Sequence, residues 1–179
     1  MPLRMTLRTD TSDDHKAVDH IFGHFDLADR NRYASFLCAH ARVLPPIEIA
    51  LEQAGVEDII PDWRDRRRRG KLMDDLTALG TSAPEHLPAP TFSTEDEIWG
   101  AAYVLEGSKL GGAMLARQVP VEFPSSYLGF QGPKGAMKTF MEKLDEFSPL
   151  EEDRAIAAAR SVFTLFKRAA ELELELIPS

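Results

Sequence analysis

The sequence predicts an all-α protein. Three observations carry that prediction. Apolar residues recur at helical spacing through most of the chain. Convincing alternating strand patterns are absent. The interruptions are proline and glycine stops of the kind that end helices. The chain has 179 residues, 44% of them hydrophobic and 28% charged. That length fits one domain over residues 1–179, able to bury a core without disulfides. Neither an internal repeat nor a domain linker is evident.

The first helix is expected from about Leu3 or Thr6 to Phe25, with Gly23 loosening its end. Leu7, Thr11, His15, Val18 and Phe22 share one face of it, so His15 should point inward. The second runs from about Arg30 to Leu44, with Tyr33, Phe36, Leu37 and Val43 apolar. Pro45-Pro46 either interrupts it or starts a further helix through Ile47, Ala50 and Leu51 to Ala54. Asp62 to Leu79 is a third long, arginine-rich element, stopped at Gly80. The prolines of Ala83–Pro90 mark a loop. Ser93 or Thr94 with Glu97 suits a capping box, and opens a helix from about Glu95 to Arg117. Pro120 to Gly135 reads as a long irregular connection. Helices from about Lys134 to Phe147 and from about Pro149 to Glu175 complete the chain. Glu171–Leu176 alternates, but it continues a strong helix and is read as helix.

Cys38 is the sole cysteine, which excludes an intrachain disulfide and fits a reducing cytoplasm. No apolar run approaches the ~20 residues of a membrane span, and the N-terminus lacks a signal-peptide core. A net charge of −8 argues against general nucleic-acid binding. Arg64, Arg66, Arg67, Arg68 and Arg69 nevertheless make a basic cluster. It reads either as a solvated helix face or as a docking patch for an acidic partner.

Two features ask for more than packing. The helix from Glu95 carries Gly107, Gly111 and Gly112, and each interior glycine costs ~1 kcal/mol relative to alanine. Gly107 and Gly111 share a face, where something flat could approach the backbone. Close helix–helix packing is the other explanation. The second feature is the set of five histidines. By spacing alone, an inward His15 is a hydrogen-bonded core residue. His20 and His24 are at i and i+4 and could hold a metal, but no third ligand is identifiable, and a solvated face is preferred. Asp19 could reach the His15 imidazole, the way a carboxylate orients a metal-binding histidine.

Two motifs taken together resemble a known family. They are Leu7-Arg8-Thr-Asp-Thr11-Ser-Asp-Asp-His15-Lys-Ala-Val18-Asp19 and Tyr103-Val-Leu-Glu-Gly107-Ser108-Lys-Leu-Gly111-Gly112. In this order and spacing they resemble the two haem-contacting helices of the heme oxygenases, in particular bacterial members that accompany bacteriophytochromes. Asp75-Leu76 with Leu79-Gly80, and Pro124-Ser-Ser-Tyr127-Leu128, support the likeness. The resemblance implies a multi-helical fold with haem sandwiched between a proximal helix and a glycine-rich distal helix. It implies oxidative cleavage of haem, which is both substrate and cofactor, to biliverdin, carbon monoxide and ferrous iron. Dioxygen and an electron donor such as a ferredoxin or a reductase would be consumed, and a bacteriophytochrome is an implied recipient of biliverdin.

Residue by residue, the resemblance makes His15 the axial iron ligand and Asp19 the acidic neighbour. Gly107, Ser108, Gly111 and Gly112 become the distal, catalytic wall. Arg8 and Tyr103 become propionate contacts, with Lys138 or Lys134 as a second basic contact. Ser108 departs from animal-type members, which place an aspartate there to order water. A haem carrier or sensor without turnover, and a helical interaction module without haem, are the competing readings.

Overall fold

The computed structural model describes residues 1–178, and among them helices are the only regular elements. The expected first helix is two. α1 (Leu3–Asp10) and α2 (Ser12–Phe22) meet at Thr11. The Thr11 hydroxyl donates to the Leu7 carbonyl at 2.6 Å, the kind of back-bond that bends a helix. α3 (Arg30–Gln53) starts at Asp29, whose side chain accepts from the Arg32 N–H, and runs straight through Pro45 and Pro46. The proline pair therefore neither stops α3 nor starts a new helix. A proline nitrogen leaves the carbonyl four residues earlier without its helical donor. For Pro46 that carbonyl is Arg42 O, and the Leu87 N–H from the 81–93 loop donates to it at 2.8 Å.

α4 (Val56–Ile59), which the sequence reading does not anticipate, is a single turn after Gly55 at φ 90°. The arginine-rich element is likewise two pieces, α5 (Trp63–Arg66) and α6 (Arg69–Ala78). The break at Arg67–Arg68 is held by buried Glu48 of α3, which accepts from the backbone N–H groups of Arg68 at 2.7 Å and Arg69 at 3.1 Å. Gly80 stops α6 as expected. It sits at φ 69°, with Thr81 N–H bonded to Leu76 O and Gly80 N–H to Thr77 O, a Schellman closure.

α7 (Glu95–Ala116) opens with a complete capping box between Thr94 and Glu97 and continues unbroken through its glycines. The irregular connection holds one short turn, α8 (Ser126–Gly129), and α9 (Ala136–Glu146) follows Gly135 at φ 75°. α10 (Glu152–Leu176) includes the alternating Glu171–Leu176 segment as helix.

α10 is the spine. It packs against α7, α3 and α2, while α6 and α8 close the far side of α3 and α7. Ala155, Ala159, Val162, Ala169 and Ala170 are fully buried along α10. The small side chains let the neighbouring helices come close. α3 has the length and hydropathy of a membrane span, yet 67% of that stretch is buried within the fold. Its apolar character is that of a core helix.

Two sequence motifs far apart in the chain are joined here. Asp75 of α6 accepts from the backbone N–H groups of Ser126 at 3.2 Å and Tyr127 at 2.8 Å. Tyr33 of α3 donates its hydroxyl to Pro124 O at 2.6 Å. Together they fix the 124–129 turn against α7.

Candidate functional site

Between α2 and α7 lies a cavity of about 500 Å³. His15, Val18, Asp19 and Phe22 of α2 form one wall. Tyr103, Val104, Gly107, Ser108, Leu110, Gly111, Gly112, Met114 and Leu115 of α7 form the opposite one. Phe163 and Phe166 of α10, with Phe36 and His40 of α3, close the interior, and Arg8, Arg68, Tyr127, Leu128 and Met141 complete the lining. The volume falls in the range of small-molecule and cofactor sites.

The proximal wall departs from the sequence reading. Leu7, Thr11 and Phe22 of the shared face are buried as expected. His15 is not a core residue: 63% of its side chain is exposed, because the helix face there borders the cavity and not a packed neighbour. Its ring stacks on Phe163, with centroids 5.6 Å apart and planes 25° apart. Nε2 lies 3.4 Å from Asp19 Oδ2. The other ring nitrogen has no hydrogen-bond partner among the described residues. A histidine held flat by an aromatic ring and steered by a carboxylate, with a nitrogen to spare, has the features of a metal-ligating imidazole.

The glycines of α7 divide into two kinds. A Cβ on Gly107 or Gly111 would meet nothing within 4 Å, whereas one on Gly112 would come within 3.1 Å of Leu128 O. Gly112 is therefore partly a packing glycine against α8. Gly107 and Gly111 present bare backbone to the cavity. Ser108, between them, donates its hydroxyl to Leu105 O at 2.7 Å and accepts from Arg68 Nη2 at 2.7 Å. Its proton is thus turned back into the helix.

The sequence reading placed neither Arg68 nor His40 in the site, and both line the cavity. Arg68 is only 3% exposed. It bonds Ser108 and Leu105 O and lies 5.1 Å over the Tyr127 ring. His40 packs among Phe22, Phe36 and Phe166, and its Nδ1 lies 2.5 Å from the Tyr127 hydroxyl. Burial, helped by the Arg68 charge, lowers the His40 pKa to about 3. Burial raises that of Tyr127 to about 12. Both side chains are neutral at ordinary pH. Nothing in the spacing of α3 separates His40 from a core position; only its neighbours from α6 and α8 do.

Two other expectations are corrected. Lys138 is 82% exposed and faces Glu142 on α9; neither it nor Lys134 lines the cavity. The arginine run is neither a solvated face nor an open docking patch. Arg66 is 1% exposed and bonds Asp62, Glu106 and the Ala136 carbonyl. Arg67 and Arg69 both bind Glu52, and Arg64 binds Glu57. The partner carboxylates lie outside the run, so the charge is neutralised within the fold. His20 and His24 stack edge to face, with His24 Nδ1 at the His20 carbonyl, and no metal-holding cluster occurs among the described residues.

No family model matches the chain. A heme oxygenase of Xanthomonas campestris pv. campestris (strain 8004) is 38% identical over 91 residues, 51% of this chain and 54% of that protein. The alignment thus spans about half the length of that curated relative. The NO- and CO-bound heme oxygenase of Neisseria meningitidis superposes with a TM-score of 0.84, covering 100% of this chain and 95% of that one at 22% identity. The heme oxygenase of Leptospira interrogans gives 0.75, with 96% and 100% covered, at 21% identity. The architecture is therefore the heme oxygenase fold. The chain is thus similar in sequence to a bacterial heme oxygenase over half its length and has the heme oxygenase fold over all of it.

Proposed function

We propose that this chain is a heme oxygenase, a single domain over residues 1–179 that cleaves haem oxidatively to biliverdin, carbon monoxide and ferrous iron. The observation that carries the reading is the juxtaposition of His15 with the bare backbone of Gly107 and Gly111 across one cavity. The residues fit the group. A planar macrocycle needs a side-chain-free wall, an apolar interior, and one imidazole with a nitrogen available; all three are in place.

Haem supplies the iron at which dioxygen is activated and the ring that is opened. The protein's part is to hold and orient. His15 would hold the iron, its ring kept in orientation by Asp19 and Phe163. Gly107 and Gly111 would let a flat group approach the α7 backbone. Arg8 and Tyr103, which line the cavity, would hold the carboxylates of the group and so set its orientation. Because the Ser108 proton is committed to Leu105 O, that hydroxyl does not donate into the cavity. Arg68 and His40 are the buried polar groups placed to order water there. The Gly-rich wall and a neutral His40 would place no strong acid against the bound group.

Electrons come from outside the chain, from a ferredoxin or a reductase, and the run 64–69 offers such a donor no free cationic patch. A bacteriophytochrome is the recipient of biliverdin that the bacterial resemblance suggests. Buried, unpaired Cys38, whose thiol pKa is raised to about 11 chiefly by burial, suits the reducing cytoplasm.

The test is haem titration followed by reductant under oxygen. A Soret band that His15→Ala weakens or shifts, and that gives way to biliverdin absorption on reduction, is the expected result. A band that survives reduction marks a carrier. No band at all marks a module that does not bind haem.

A further inference from the structure

α7 is bare where Gly107 and Gly111 face the cavity, so its position there must be set from the other side. Glu106 and Lys109 lie on that side: neither lines the cavity, and both are at most 2% exposed. The 130–132 turn is folded onto Lys109. The Lys109 ammonium bonds Glu106 at 2.7 Å and stands 5.6 Å from the centre of the Phe130 ring, which also takes Lys71 of α6 at 4.7 Å. Gly132, at φ 76°, turns the chain so closely that a Cβ there would stand 3.7 Å from Lys109 Nζ. Between them, the Gln131 side-chain amide donates to the Lys109 carbonyl at 2.7 Å and to the Phe130 carbonyl at 3.2 Å, so both of its hydrogens are used. Lys109 is midway between Gly107 and Gly111. Inside a helix its carbonyl also accepts from the N–H four residues on, that of Ala113. A second donor from outside draws such a carbonyl outward, and helices bend where a side chain reaches into the hydrogen-bond ladder or where small residues weaken it. Both causes coincide here. Gln131 is exposed, unlike the buried Glu106, Lys109 and Arg66, so its bond can break and re-form without opening the core.

We propose that Gln131 is a positioning residue for the α7 wall. It is a latch on the Lys109 carbonyl that holds the backbone between Gly107 and Gly111 at its distance from α2, and its release lets the wall move away. The proposal rests on the haem reading and deepens it: the latched wall retains the flat group, and the released wall lets it go. Gln131 does not line the cavity, so it acts only through the helix it holds.

The experiment reads amide hydrogen–deuterium exchange in the haem-free full chain and, in parallel, the rate at which bound ferric haem passes to an excess of apomyoglobin. Gln131→Met keeps the length of the side chain and removes the donor. It is expected to speed both the exchange of the 107–115 amides and the release of haem by about threefold to tenfold, the range of one hydrogen bond of ordinary net strength. Exchange in α3 and α10 should stay as in wild type, and the thermal midpoint of the haem-free chain should fall by no more than about 4 °C. Lys134→Gln, in the same exposed segment, should change neither rate. Unchanged rates with Gln131→Met overturn the proposal and leave the haem reading intact. So does faster exchange spread over α3 and α10, which marks a general loss of stability, or an equal effect of Lys134→Gln. Faster exchange at 107–115 with unchanged haem release also overturns it, because the wall would then move without governing the ligand. If wild type gives no Soret band, the haem reading itself fails, and with it the claim that the latch retains a ligand.

Discussion

Gly100 and Gly107 stand seven residues apart on α7, offset by only about 20° around the helix. They do opposite things. A Cβ on Gly100 would collide with the Ala155 carbonyl of α10; one on Gly107 would meet nothing within 4 Å. The first glycine lets two helices touch, and the second leaves a space between them. Composition treats them alike, and so does helix propensity. What separates them is whether α10 is against the backbone at that level or whether the cavity is, with Phe163 and Phe166 at its far side.

A helix that gives up contacts on one face must be held from another. At the level of Gly107, α7 is held by buried charge. Glu106 accepts from Arg66 at 3.0 Å and from Lys109 at 2.7 Å, and all three residues are at most 2% exposed. Arg66 reaches on to the Ala136 carbonyl, and Gln131 donates to Lys109 O. The distal wall is thus tied to the 130–136 segment on its outer side. Glu106→Ala should therefore have the largest effect on stability. It leaves buried Lys109 without a carboxylate and takes one of the two from buried Arg66, and should cost about 3–5 kcal/mol in urea unfolding. A loss under about 1 kcal/mol, the scale of an exposed pair, would mean that α7 does not depend on this support.

Gly100→Ala comes next. Backbone cannot yield as a flexible side chain does, so forcing α7 from α10 should cost about 3 kcal/mol, read as a lowered thermal midpoint. A neutral outcome would remove the contrast between the two glycines.

The interior of the cavity predicts a pH effect. His40 has a folded pKa of about 3 against an ordinary 6.5. Between those values the unfolded state binds the proton and the folded state does not. Stability is therefore full above about pH 6.5 and falls as pH drops towards about 3. By pH 5 the loss from this one group is about 2 kcal/mol. His40→Gln should flatten that part of the stability–pH curve, measured by chemical denaturation at a series of pH values. An unchanged slope would show that His40 is solvated in the folded state.

How much of this could be read from the chain depends on how local each cause is. The capping box at Thr94 and Glu97 and the Gly80 stop were legible, because partners three to five residues apart decide them. Pro45-Pro46 was not, because the donor that frees α3 to continue is Leu87. The arginine run misled for the same reason: Glu48, Glu52 and Glu106 neutralise it from other helices. Lys138 was placed from its helix alone, and the helix turns it to solvent. Spacing alone put His15 on this face and in the core, and the side chain borders the cavity instead. Periodicity gives the direction of a side chain, and only the neighbouring helices say whether core or cavity lies there. Arg68 and His40 were invisible until α3, α6, α7 and α8 were brought together.

The smallest effect on stability discriminates best between the two glycines. Gly107→Ala adds a methyl group to open space and replaces the poorer helix former, so it should raise stability by about 0.5–1 kcal/mol. The same methyl would stand where the α7 backbone is proposed to lie against the haem plane. Haem affinity should therefore fall while the thermal midpoint of the haem-free protein rises. Opposite signs in these two measurements mark a backbone kept bare for a ligand. A lowered midpoint would mean that Gly107 is a packing glycine like Gly100. A raised midpoint with unchanged haem affinity would mean that the ring lies elsewhere in the cavity.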